Sequence, residues 1–192
     1  MRGLIVPGFR QNGHEDTYER LRSHFEHITI PRINWNSPSL SRIRDQFYDQ
    51  LGGSYDVSIG FSAGSLLALD AANRVNPSSL ILCSPPPLYG PHAQRYVHHF
   101  APAGISPELL EEIAEQEPVL PPNIAAWMLY GANEPSAERQ SKFLNNVFFN
   151  GNAKLVEIEN GKHEINGESY QSTLLSLVEQ ITRSKEVVYS ER

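Results

Sequence analysis

Six apolar runs of strand length alternate along this chain with longer segments of helical pattern, and that alternation leaves few ways to fold. Gly3–Val6, Ile28–Ile30, Tyr55–Gly60, Ser79–Cys83, Ile124–Tyr130 and Lys154–Ile158 read as strands. Helices are expected over Thr17–Phe25, capped by Asp16 or Thr17, and from Ser37-Pro38 through about Leu51. Serine caps well and proline suits the first helical position, while Gly52-Gly53 stops that helix. Further helices are expected over Ala63–Arg74, Pro135–Phe149 and Ser169–Arg183. The pattern predicts an α/β fold: a three-layer sandwich whose six-stranded, mostly parallel sheet is covered on both faces. Crossovers should be right-handed, and functional residues should gather in loops beyond the carboxyl ends of the strands.

A length of 192 residues suits one domain spanning 1–192, with an insert at about 84–122. That insert is rich in Pro, His and Tyr, and carries a short helix that starts at Ser106-Pro107-Glu108 and ends before Pro118. Hydrophobic residues make up 40% of the chain, enough for a sizeable core. The net charge is −6 and the basic residues are scattered, so no nucleic-acid surface is expected. Cys83 is the lone cysteine, which excludes an internal disulfide; it reads as a small buried core residue. The apolar run near the N-terminus is too short for a signal-peptide core, and no stretch could span a bilayer. The expectation is a cytoplasmic protein.

Gly60-Phe61-Ser62-Ala63-Gly64 matches G-x-S-x-G and sits between an expected strand and an expected helix. A nucleophilic serine there must occupy a very sharp, strained turn with its hydroxyl projecting from the sheet. Residues two positions either side come too close to carry side chains, so Gly60 and Gly64 fit. The following helix points its positive end at the site and favours developing negative charge. The same turn could instead bind a phosphate at the helix start, as in a flavodoxin-like nucleotide binder.

A serine hydroxyl is a weak nucleophile at neutral pH and needs a base, which in turn needs an orienting acid. On this kind of elbow the order along the chain is Ser, acid, His. Among seven histidines, His14, His24 and His27 precede the nucleophile strand, and His92, His98 and His99 fall in the insert. His163 alone lies in the loop after the last strand and follows an acid candidate, so it is the expected base. Glu134 is the only carboxylate in Gly131-Ala132-Asn133-Glu134-Pro135 and is the expected acid. Asn133 could orient a ring but would stabilise its charge less well. The backbone N–H groups of Ala63 and Phe9 are the candidate oxyanion donors, with Gly8 allowing close approach. No Cys or carboxylate cluster joins the insert histidines, so neither metal nor cofactor is expected.

Together, Pro7-Gly8-Phe9, Gly60-Phe61-Ser62-Ala63-Gly64, Gly131-Ala132-Asn133-Glu134 and Gly161-Lys162-His163 resemble the α/β-hydrolase superfamily, in its order and over nearly the whole chain. The chain looks like short members that lack the first two strands, such as small serine hydrolases of the retinoblastoma-binding-protein type. That likeness implies a wholly parallel sheet. It also implies a compact hydrolase, and the insert at 84–122 falls where that family places caps. The insert is expected to form a small lid lining an acyl pocket or, alternatively, to be a packing insert that covers the sheet edge, with Phe61, Pro86, Leu88 and Tyr89 as pocket candidates. Two departures stand out: Pro7-Gly8 replaces the His-Gly of many relatives, and Glu134 replaces their Asp. The expected activity is hydrolysis of a small acyl ester or thioester through an acyl-Ser62 intermediate. The competing expectation is a non-catalytic binding protein on the same fold.

Overall fold

The computed structural model describes residues 1–11, 13–86, 104–135 and 137–190, with the side chains of residue 137 and of residues 185–190 set aside. Its strands are β1 (Arg2–Val6), β2 (His27–Thr29), β3 (Val57–Phe61), β4 (Ser79–Cys83), β5 (Ala125–Gly131) and β6 (Ala153–Ile158). They form one sheet in the order β2-β1-β3-β4-β5-β6, and every neighbouring pair is parallel. The central strands β3 and β4 are buried along their whole length, as strands covered on both faces must be. The edge strands β2 and β6 keep exposed residues.

The helices are α1 (Asp16–Arg22), α2 (Leu40–Tyr48), α3 (Gly64–Val75), α4 (Pro107–Ala114), α5 (Ala137–Phe143) and α6 (Glu168–Ser190). Successive strand residues face opposite sides, so each strand feeds two cores. On one side Leu4, Val6, Leu80, Leu82 and Met128 pack with Phe47 of α2, Leu67 of α3 and Leu110 of α4. On the other, Ile5, Ile59, Phe61, Ile81 and Leu129 pack with Leu21 of α1 and Tyr170, Leu174 and Val178 of α6. The result is the expected three layers. Among the described residues, no helix is long and apolar enough to cross a membrane.

Helix starts depart from the sequence expectation where tertiary contacts override local signals. Glu15, in extended conformation, precedes α1, while Thr17 is buried and gives its hydroxyl to the Ile165 carbonyl at 2.7 Å. Helix α2 begins at Leu40 rather than at Ser37-Pro38, and its first N–H is taken by Glu112 of α4 at 2.6 Å. Helix α4 starts as its sequence reads, with Ser106 Oγ accepting the Leu109 N–H at 3.1 Å and Pro107 in the first turn, and α3 and α6 begin within one residue of the expected Ala63 and Ser169. The pattern over Pro135–Phe149 divides into α5 and a wider turn over Leu144–Phe148. There buried Asn145 grips both backbone groups of Ala153 at 2.7 and 2.9 Å, fixing the start of β6.

The second half of the segment expected to form a lid belongs to the core. Leu109, Leu110 and Ile113 of α4 are buried in the core beside α2, because an amphipathic helix covers apolar surface there. The lid expectation for 87–103 lies outside the described residues.

Candidate active site

The chain steps outward from β1 to β2 and then returns to β3 on the other side of β1. Crevices in open parallel sheets form at such a reversal, beyond the carboxyl ends of the strands. Ser62 stands there, one residue past β3, with φ +50°. That left-handed backbone costs a non-glycine residue about 1–3 kcal/mol, so the surroundings must enforce it. They do so by contact. A Cβ on Gly60 would lie 2.6 Å from both the Gly64 carbonyl oxygen and the Ala68 side chain. One on Gly64 would lie 2.2 Å from the Val6 carbonyl oxygen and 2.6 Å from that of Pro7. The Ser62 N–H is held by the Cys83 carbonyl at 2.8 Å, and Ser65 Oγ donates to the Gly60 carbonyl at 3.0 Å. The two glycines therefore let the elbow fold tightly against the end of β1.

A second close approach brings the other two predicted residues together. Gly131 ends β5 and Gly161 lies in the turn after β6; a Cβ on Gly131 would meet Gly161 backbone atoms at 2.5 Å. Ala132 N–H donates to the Ile158 carbonyl at 3.0 Å, and Asn133 N–H to the Gly161 carbonyl at 2.9 Å. Docked in this way, the loops put Glu134 Oε2 2.7 Å from His163 Nδ1. His163 Nε2 lies 3.0 Å from Ser62 Oγ, across 101 positions of sequence. The Glu134 side chain is only 4% exposed, whereas that of His163 is half-exposed. The structure thus brings Ser62, His163 and Glu134 into one connected chain.

Glu134 is saturated. Its Oε1 accepts from Ser84 Oγ at 2.6 Å and from the Gly131 N–H at 2.8 Å. Burial pushes its pKa up, but hydrogen bonds from His163, Ser84 and Gly131, with the His163 charge, outweigh that and hold the carboxyl below its ordinary value. Ser84 is itself buried, has φ +47°, and lies 2.8 Å from the hydroxyl of Tyr170 on α6.

The candidate oxyanion donors differ in character from this saturated group. Among the described residues, the N–H groups of Phe9 and Ala63 have no hydrogen-bond partner. Gly8 presses on the elbow: a Cβ there would sit 2.8 Å from the Phe61 carbonyl and 3.1 Å from Ser62 Cβ. Gln11 Oε1 accepts from the Gly8 N–H at 2.6 Å and from the Tyr18 hydroxyl at 2.7 Å, tying the loop in place. Beside that loop is a cavity of about 350 Å³, lined by Phe9, Arg10 and Gln11 on one side and by Ile33, Asn34, Trp35 and Asn36 on another.

Of the expected pocket residues, Phe61 is placed differently. Its β3 position turns it to the α6 face, where it is 4% exposed. Its ring packs 5.2 Å from the His163 ring and edge-on to Tyr170 at 5.8 Å, so it supports the imidazole from beneath. Pro86 is buried at the end of the described part of its loop, and Leu88 and Tyr89 lie outside the described residues, as do His92, His98 and His99. Sequence reasoning missed Ser84, Tyr170 and Gln11. For Ser84 a signal existed: it is the first residue beyond the carboxyl end of β4.

No family model matches the chain, and no curated protein does. Solved structures do resemble it. The mouse alpha/beta hydrolase domain-containing protein 10 matches with a TM-score of 0.73 at 12% identity, over 95% of this chain and 90% of that one. MGS-MChE2, an alpha/beta hydrolase enzyme from the metagenome of Mar Chica lagoon sediments in Morocco, matches with a TM-score of 0.68 at 14% identity, covering 97% and 92%. The Vlm2 thioesterase domain gives a TM-score of 0.62 at 16% identity, covering 93% and 96%. At these identities the likeness concerns architecture: the chain has the α/β-hydrolase fold.

Proposed function

We propose that this chain is a serine hydrolase that cleaves small esters or thioesters through an acyl-Ser62 intermediate. The observation that carries the reading is the continuous contact from Glu134 through His163 to Ser62, at 2.7 and 3.0 Å. In this reading Ser62 Oγ attacks the acyl carbonyl carbon as its proton passes to His163 Nε2. His163 returns the proton to the leaving alcohol or thiol, and then activates water against the acyl-enzyme by the same route. Glu134 keeps Nδ1 protonated, so that Nε2 presents its lone pair to the serine. The unpaired N–H groups of Phe9 and Ala63 take the oxygen that becomes negative in the tetrahedral intermediate. Neighbours whose names include esterase and thioesterase are in keeping with this chemistry at the level of the fold.

The cavity beside Phe9 suits the acyl group. Its volume of about 350 Å³ is at the small end for ligand pockets, and Arg10, Gln11, Asn34 and Asn36 make its wall partly polar. Short or polar acyl groups fit it better than long alkyl chains. The buried single thiol of Cys83 suits a reducing compartment such as the cytoplasm.

The test is labelling by a fluorophosphonate probe, followed by a panel of nitrophenyl esters of increasing acyl length. Wild type should label and turn over short esters fastest, while Ser62→Ala should do neither, with a loss of about 10⁴-fold or more. Labelling that persists without Ser62 overturns the mechanism. A wild type that never labels favours a binding protein on this fold.

A further inference from the structure

With its pKa held low, Glu134 is a carboxylate and has no proton to give. Ser84 therefore donates its single hydroxyl proton to Oε1, across 2.6 Å. That proton is then committed, so the 2.8 Å contact between Ser84 Oγ and the Tyr170 hydroxyl has Tyr170 as its donor. Tyr170 is fully buried, and its hydroxyl lies 3.5 Å from the Leu129 carbonyl and beside the Cys83 thiol. Ser84 O lies far nearer than the Leu129 carbonyl, which makes it the main acceptor.

We infer that Ser84, backed by Tyr170, is a positioning residue for the base: a one-way relay from Tyr170 to Ser84 to Glu134 Oε1 that leaves Oε2 alone to hold His163. The inference rests on the serine-hydrolase reading above. The relay has three physical consequences. With the Gly131 N–H it fills Oε1, so the carboxylate cannot rotate to offer His163 a different geometry. Donors in series polarise one another, so Tyr170 strengthens the Ser84 bond. The relay also withdraws charge from Glu134, which tempers its attraction for a protonated imidazole. The titratable groups around Glu134 are His163 in front and Tyr170 and Cys83 behind; burial pushes both of those latter groups' pKa values up and keeps them neutral.

The left-handed backbone at Ser84 is consistent with a held position. A φ of +47° is disfavoured for serine, and here it directs the hydroxyl to the space between α6 and the β5 loop.

The sign of the effect is fixed. Ser84→Ala leaves Glu134 with one donor fewer, so the carboxylate becomes more basic and holds a protonated His163 more strongly. Both changes move the acid limb of the pH–rate profile to higher pH. The readout is the second-order rate of fluorophosphonate labelling of Ser62 against pH, together with thermal melting. Ser84→Ala should raise the acid limb by roughly 0.5–1 pH unit and lower the plateau rate about tenfold. Tyr170→Phe keeps the ring packed on Phe61 and should move the limb the same way by about half as much. A role confined to packing would lower the melting temperature and leave the limb where it is.

Limbs that coincide in wild type, Ser84→Ala and Tyr170→Phe overturn the relay, even where plateau rates fall. If Ser84→Ala does not fold, Tyr170→Phe alone decides the matter by the same limb. Failure of the underlying reading is separate: it shows as wild-type labelling that is absent or independent of Ser62, and it removes the relay's purpose along with it.

Discussion

The two sides of Ser62 are built on opposite principles. On the α6 side, both Glu134 oxygens are bonded and the serine and tyrosine behind them are bonded in turn. On the β1 side, the N–H groups of Phe9 and Ala63 are left without a partner among the described residues. Folded chains seldom leave buried backbone donors without a partner. The contrast follows from when charge arises. The Glu134 charge is permanent and must be held in one geometry, whereas charge on a substrate oxygen exists only in passing. Donors already satisfied by the protein would be of no use to it.

Damage to the two sides should therefore differ in kind as well as in size. The largest effect is expected on the saturated side. Glu134→Gln exchanges one of two acceptor oxygens for a donor where Ser84, Gly131 and His163 all donate, so the amide must face at least one of them wrongly. Nδ1 then loses its acceptor and the tautomer that frees Nε2 is no longer favoured. Labelling and ester turnover should fall by roughly 10³–10⁴-fold. A loss below tenfold would mean that the carboxylate does not set the state of His163.

A smaller and different loss is expected on the open side. Gly8→Ala places a methyl group 2.8 Å from the Phe61 carbonyl, so the Phe9 loop must withdraw from the elbow. Losing one oxyanion donor typically costs about 10²–10³-fold in rate. Because the Glu134–His163 contact is untouched, the acid limb of the pH profile should stay in place while the plateau drops. A limb that shifted with Gly8→Ala would show the two sides to be mechanically coupled.

The same division separates what could be read in the sequence from what could not. Ser62, Glu134 and His163 were legible because backbone constraints announce them: glycines at 60 and 64 where chains collide, and loops at carboxyl strand ends in a fixed order. The mostly parallel sheet was legible from the alternation of strands with helices along the chain. Ser84 and Tyr170 were not legible as a pair. They meet across 86 positions, through one hydroxyl contact that no local pattern encodes. The start of α2 differs from its sequence signal for a related reason: Ser37-Pro38 is a strong local signal, but Glu112, 72 positions from Leu40, supplies the cap. Strand alternation turns Phe61 to the α6 face, where its ring packs beside that of His163.

The smallest expected effect tests whether the saturated side also contributes to folding. A carboxyl whose pKa is lowered in the native state adds stability that is complete above its unfolded value, about 4.3, and that disappears as pH falls through the lower native value. Glu134→Gln has no such group. The melting temperature of wild type should therefore fall more steeply than that of the variant as pH drops from about 6 to about 3. The gap between them should narrow by roughly 2–4 °C for a chain of this size, if about 1 kcal/mol is involved. A gap constant across that range would mean that the bonds to Glu134 merely offset its burial. The relay would then orient the base without stabilising the fold.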